Sequence, residues 1–233
     1  MGERTLALVG ATGDVGTGIL RATVRRGWSV VAVSRTPSRL AALRAEHGSA
    51  VRTLVSDIGD EAGGVRLAAQ LGPVDAVVVS VHVGCPLRPV LDWPADELNA
   101  LVAGNVGAHL VAARHLMPLV RDGGDFLGIG GGMADLVIPR YVPLAVAQAA
   151  QRQLYRGLIR EARKEPRVRI RELLVAAMVN GPSTRQQARP DWITEDEIGE
   201  RVAELLAEPG ADTGAELDPG RSIQTLVSPR ATR

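Results

Sequence analysis

Three glycines at intervals of three, Gly10, Gly13 and Gly16, follow a short apolar run at Thr5–Val9 and open an amphipathic stretch ending in Arg25-Arg26-Gly27. Strand, glycine turn and helix in that order form an arrangement that binds dinucleotides. The first glycine permits a tight turn, the second lets the backbone approach a pyrophosphate, and the third lets the helix pack close to the sheet. Free N–H groups at the helix start, around Thr12, Asp14 and Val15, would then face the phosphates. A structural turn that merely spares a Cβ is the plainer alternative.

A second apolar run, residues 30–33, ends in Ser34-Arg35. An Asp or Glu there would grip a ribose 2'-hydroxyl, and Arg35 cannot accept that hydrogen bond. A guanidinium suits a 2'-phosphate, with Ser34, Thr36 and Arg39 as further donors, so the pattern points to NADP(H) rather than NAD(H). The plainer reading is an arginine on a solvated loop, in a chain whose single lysine, Lys164, leaves arginine nearly all the positive charge. Asp57, closing a third apolar run, could accept from an adenine amino group or cap the next turn.

Groups able to move a proton are few. His82 follows a fourth apolar run, residues 75–81, where a histidine could exchange protons near neutral pH or simply bond to backbone. Tyr141 could donate a proton from a phenol, or anchor its loop. The N–H groups of Gly130, Gly131 and Gly132 could bind a substrate oxygen, or allow close packing against a cofactor. Cys85 reads as a small hydrophobe, His109 and His115 as packing or surface residues, and Lys164 as a solvated surface residue near its helix end. No cluster has metal-ligand spacing.

The elements that must position these groups alternate along the chain. Apolar runs at 5–9, 30–33, 51–55, 75–81, 125–129 and 168–176 are separated by helix-like stretches, the longest at 95–120 and 144–164. Strands that are apolar throughout need both faces covered, which predicts an α/β, Rossmann-like doubly wound parallel sheet of about seven strands. Nothing divides residues 1–233, so one domain is expected, with 181–191 as a mobile, substrate-side loop. The 27 basic and 26 acidic residues give a net charge of +1, which favours neither nucleic acid nor anionic membrane. One cysteine excludes an internal disulfide, and no apolar run is long enough to span a bilayer, so a cytoplasmic location is expected.

Over nearly its whole length the chain resembles the short-chain dehydrogenase/reductase family. The landmarks are the glycine turn, Ser56-Asp57-Ile58, Asp75-Ala-Val-Val-Val, Asn105-Val-Gly107, Met117-Pro118, Gly124-Asp-Phe-Leu-Gly-Ile129, Asn180-Gly-Pro182, the helix near 198–207 and Asp218-Pro-Gly220. The resemblance implies that Ile58 and Ser80 line the cofactor with the residues named above, and that Asn105 supports a water and backbone arrangement in the long helix. It also implies a small-molecule substrate and a homodimer or homotetramer paired through the two long helices. The family's chemistry uses a Ser, a Tyr and a Lys four residues after the Tyr. Here those positions fall on Gly131, Leu144 and Gln148, while Tyr141 and Tyr155 are followed four residues later by Ala145 and Ile159.

Three functions are therefore expected to compete. The first is an NADP(H)-dependent reductase of a small organic substrate that draws its proton from His82, Tyr141 or water. The second is a non-catalytic NADP(H) sensor or partner subunit. The third is a non-redox enzyme, a dehydratase, isomerase or cyclase, on the same scaffold.

Overall fold

The computed structural model describes residues 4–162, 167–208 and 222–230. Seven strands form one parallel sheet: β1 (Thr5–Val9), β2 (Ser29–Ser34), β3 (Val51–Val55), β4 (Val74–Val79), β5 (Val120–Gly131), β6 (Arg169–Val175) and, last in the chain, β9 (Ile223–Leu226). Their spatial order is β3-β2-β1-β4-β5-β6-β9. The order reverses between β1 and β4, and the crevice outside the carboxyl ends of these two strands is where doubly wound sheets bind ligands. A separate pair, β7 (Val179–Asn180) and β8 (Ile193–Thr194), is also parallel.

Side chains alternate across the sheet, so each strand feeds two cores. Leu6, Leu8, Val30 and Val78 face α1 (Asp14–Arg25), α2 (Pro37–His47) and α7 (Glu195–Ala207), where Ile19, Leu40 and Val202 meet them. Ala7, Val9, Val31 and Val77 face α3 (Glu61–Leu71), α5 (Ala108–Leu116) and α6 (Val142–Glu161), against Leu67, Leu116 and Ile159. Full burial of each such aliphatic side chain contributes about 1.5–3 kcal/mol before chain entropy is counted. Helices α1 and α7 touch backbone to backbone, since a Cβ at Gly18 would overlap the Glu195 carbonyl and one at Gly199 the Gly18 carbonyl. Thr194 and Glu197 close a capping box at the start of α7.

Two expected helices change shape. The stretch 95–120 is not one regular helix: α4 (Ala95–Val102) passes through a π-turn at Ala103–Gly107 into α5 and a short 3-10 turn at Met117–Leu119. The π-turn forms where the Asn105 side chain reaches out of the helix, and such single-turn irregularities cluster at functional sites. Helix α6 starts at Val142, earlier than position 144, because Pro143 in its first turn has a preset φ and no N–H to lose. The segment around Lys164 and the Asp218-Pro-Gly220 landmark lie outside the described residues. Among the described residues no helix is long and apolar enough to cross a membrane.

Candidate active site

The glycine turn has the geometry its spacing predicts. Gly10 sits at φ +85°, where an L side chain is strained, and a Cβ there would overlap the Ser80 carbonyl. Its N–H and that of Ala11 both donate to the Val33 carbonyl, at 2.9 and 3.1 Å, which folds the turn over the end of β2. A Cβ on Gly16 would overlap the Gly10 carbonyl, so the third glycine packs α1 against the turn itself. Gly13 differs: only the Gly10 carbonyl, at 3.4 Å, approaches its Cβ position, and its side is open to a ligand. No side chain caps α1, which leaves the backbone N–H groups near Asp14 and Val15 without the usual N-terminal acceptor.

Thr12 and Ser34 join the turn to the end of β2 through a 2.6 Å hydroxyl pair. Arg35 extends into solvent with 77% of its side-chain surface exposed, 3.9 Å from the Asp57 carboxylate. Asp57 also accepts from the Gly59 N–H at 2.9 Å, closing a turn, while the cap of α3 is Asp60, which accepts from Gly63 N–H at 2.7 Å. Ile58 is buried in the core, and Ser80 places its N–H on the Val9 carbonyl at 2.8 Å. These groups surround one open lip at the ends of β1, β2, β3 and β4. They fit a dinucleotide, with uncapped N–H groups for the pyrophosphate.

Asp14 departs from that design. Its carboxylate accepts from both the N–H (2.7 Å) and the hydroxyl of Ser183. The loop after β7 is thereby fastened to the start of α1, with a Cβ at Gly181 meeting the Asp14 side chain. Arg185 pairs with buried Glu195 at the other end of that loop. The segment expected to be mobile is thus tied at two points.

Across the crevice, Asn105 is buried and holds the chain beyond β4. Its Oδ1 accepts from Val83 N–H at 3.0 Å, and its Nδ2 donates to the Val83 carbonyl at 3.2 Å and the Leu101 carbonyl at 2.9 Å. His82 lies beside this clasp, exposed at the rim, yet crowding by protein lowers its pKa while an interaction with Asn105 opposes the shift. Cys85 reaches the backbone of Leu144, and burial raises its thiol pKa against that hydrogen bond. Tyr141 is the N-cap residue of α6 and offers its backbone carbonyl to Ala145 N–H at 3.0 Å. Leu144 and Gln148 stand on the first turns of α6, facing the end of β5.

One feature escaped sequence reading. The glycines of β5 match large polar side chains of α6. A Cβ at Gly131 would overlap the Gln148 carboxamide, one at Gly128 would overlap the Tyr155 ring, and one at Gly130 would lie 2.8 Å from Glu172 Oε1 and 3.3 Å from Gln151 Nε2. The stripe 148, 151, 155 therefore runs down α6 over the glycines at the end of β5. Gln151 donates to the Ile129 carbonyl and to Glu172, both at 3.1 Å. Burial pushes the Glu172 carboxyl up to about 7, with Gln151 and Arg152 opposing and Asp135 adding to the rise. Tyr155, fully buried, pairs with His109 Nδ1 at 2.9 Å, and His109 Nε2 lies 3.3 Å from the Val81 carbonyl. Because that carbonyl can only accept, Nε2 carries the hydrogen and the phenol donates to Nδ1. Burial lowers His109 to about 4 and raises Tyr155 well above its usual value. His115, by contrast, meets Glu61 at the surface. The only signals in the sequence were the run of glycines in β5 and a glutamate inside an apolar strand.

A family model described as enoyl-(acyl carrier protein) reductase matches residues 10–188. Among curated relatives, serine 3-dehydrogenase of Rhizobium radiobacter is 30% identical over 118 residues, covering 49% of this chain and 47% of that protein. The 1-deoxy-11-beta-hydroxypentalenate dehydrogenase of Streptomyces avermitilis is 27% identical over 169 residues, covering 64% and 63%. The chain thus spans about half to two thirds of the length of the curated relatives it matches. A Serratia marcescens short-chain dehydrogenase/reductase mutant superposes with a TM-score of 0.82 at 19% identity, over 97% of this chain and 96% of that one. The alcohol dehydrogenase of the archaeon Thermococcus sibiricus, complexed with 5-hydroxy-NADP, superposes with a TM-score of 0.82 at 21% identity, over 100% and 99%. At these identities the superpositions establish the shared fold.

Proposed function

The chain belongs to the short-chain dehydrogenase/reductase family, and from that premise we propose that it is an NADP(H)-linked oxidoreductase of a small organic substrate whose proton does not come from a Tyr-x-x-x-Lys pair. Arg35 carries the reading of the cofactor. An exposed guanidinium at the end of β2, beside the Thr12–Ser34 hydroxyl pair and the open Gly13 backbone, suits a 2'-phosphate, and no Asp or Glu stands at the end of β2 itself. Gly10, Thr12, Gly13, Asp14, Val15 and Gly16 would hold the pyrophosphate end, with Ser34, Asp57, Ile58 and Ser80 around the adenosine. The solved Thermococcus relative holds a modified NADP, which agrees with this choice. A bound nicotinamide would supply hydride transfer, and this chain's own residues would orient the substrate and provide the proton.

Titration with NADPH and NADH separates the cofactors. Charge-assisted hydrogen bonds of about 1.5–3 kcal/mol imply that Arg35→Ala weakens NADPH roughly tenfold or more and leaves NADH unchanged. Equal affinity of the native protein for both would refute the assignment. His82 and Tyr141 are the proton donors proposed for turnover, with Asn105 holding the segment beyond β4. Oxidation of NADPH by a carbonyl, imine or activated alkene, lost in His82→Ala or Tyr141→Phe, would identify which of them acts.

A second reading has an observation of its own. The first turns of α6 face the crevice with Leu144 and Gln148, neither of which titrates, as expected of a protein that binds NADP(H) without turning it over. NADPH binding with no oxidation by any of those acceptors would select it. Pairing of subunits through α4, α5 and α6 is also proposed, since Leu110 and Val146 leave apolar surface exposed on these helices. Mass in solution decides it.

A further inference from the structure

We infer that the Gln148 carboxamide is the oxygen-binding group of the substrate crevice, and that the ligand it takes is a largely apolar molecule presenting a carbonyl oxygen. The inference rests on reading this crevice as the substrate side of the site proposed above. Gln148 Oε1 accepts from Met133 N–H at 3.1 Å, which fixes the orientation of the amide and leaves Nε2 as its unused donor. Among the described residues that Oε1 contact is the amide's one protein hydrogen bond. The group is held in place from the other side as well, because it fills the volume that a side chain at Gly131 would need. A neutral donor, oriented through its Oε1 and lacking a protein acceptor, is suited to an oxygen that carries partial negative charge.

The surroundings define the rest of the ligand. Three loops rim the crevice, and each exposes large apolar side chains: Leu87 and Leu91 beyond β4, Leu136 and Val137 beyond β5, and Met178 beyond β6. Several charged residues on or beside the same loops are engaged within the protein. Arg88 pairs with Glu97, Asp135 with Arg152 and Arg185 with Glu195, while Arg140 donates to the Leu87 carbonyl at 2.8 Å. Arg140 and Asp92 have no ion-pair partner among the described residues, so the apolar rim is what selects the ligand: a largely apolar molecule would cover the exposed leucines and valines.

The test uses the full chain without cofactor and two probes of one shape, cyclohexanone and methylenecyclohexane, which differ by a methylene in place of the oxygen. Binding is followed by amide chemical shifts. The native protein should prefer cyclohexanone about fivefold, the range of one net neutral hydrogen bond. The preference should vanish in Gln148→Leu and stay constant with pH because an amide does not titrate. If Gln148→Leu fails to fold, Gln148→Glu keeps the shape and should disfavour cyclohexanone once the carboxyl ionises. Preference surviving in either variant, or binding of neither probe, overturns the inference. The outcome is independent of the cofactor, whose own titration reports separately on the proposed function.

Discussion

The carboxamide of Gln148 and the bare backbone of Gly131 share one volume: a Cβ on Gly131 would overlap Nε2, Oε1 and Cδ of Gln148 together. The two positions are therefore coupled by packing, and a hydroxymethyl at 131 cannot be introduced while Gln148 keeps its present rotamer.

Gly131→Ser is expected to destabilise the fold by about 1–3 kcal/mol, the usual cost of overpacking a filled site. Gln148→Ala removes the obstacle, so the double variant should recover most of that loss, with a coupling energy of about 1 kcal/mol or more in a double-mutant cycle on denaturant unfolding. Simple additivity of the two effects would show that residue 131 has space the packing denies it.

Glu172 gives a pH signature. Its carboxyl titrates at about 7 in the fold and at 4.5 when exposed, so the folded state holds the proton more tightly. Its contribution to stability is complete below pH 4.5 and is lost as the pH rises to 7, a fall of order 3 kcal/mol across that window. Glu172→Gln keeps the acceptor for Gln151 and cannot ionise. The variant should be more stable than the native chain at neutral pH, and the difference should shrink as the medium is acidified towards pH 4.5. Equal stability of the two at neutral pH would mean that the buried carboxyl is not held in its acid form.

His109 acts in the opposite sense. With its folded pKa lowered to about 4 from 6.5, it supports the fold fully above pH 6.5, and that support drains away as the pH falls to 4. Tyr155→Phe removes the donor to its Nδ1 in a fully buried site, which should cost about 1–3 kcal/mol. In the same variant, NMR of the imidazole should show the Nε2–H tautomer less strongly favoured. An unchanged tautomer and unchanged stability would argue against the phenol as donor.

Asp14 sets the charge at the phosphate end. Its carboxylate stands at the uncapped start of α1, bound to Ser183, where a diphosphate would add further negative charge. Asp14→Asn keeps an acceptor for the Ser183 N–H and removes the charge, so NADPH should bind about fivefold more tightly at low salt, with the gain shrinking as salt is added. Weaker binding would indicate that the Asp14–Ser183 link closes the site around its ligand.

The sequence by itself determined the architecture and the glycine turn, because both are written largely in local pattern: uninterrupted apolar runs require covered strands, and the positive φ of Gly10 and the packing of Gly16 on the Gly10 carbonyl are set within a few residues. Tyr141, His82, Arg35 and Asn105 could be picked out as well, since residue type and place along the chain suffice to nominate them. What they touch was not legible. The π-turn that aims Asn105 at Val83, the fastening of Ser183 by Asp14 across 169 positions, and the pairing of Gln148, Gln151 and Tyr155 with the glycines of β5 arise only when distant elements pack together on the sheet. So does the proton held by Glu172, in β6 a buried carboxyl with Gln151 above it, yet in the sequence only one acid in an apolar run. Local sterics act through neighbours along the chain, whereas desolvation and shared volume act through neighbours in space, and only the tertiary structure brings those together.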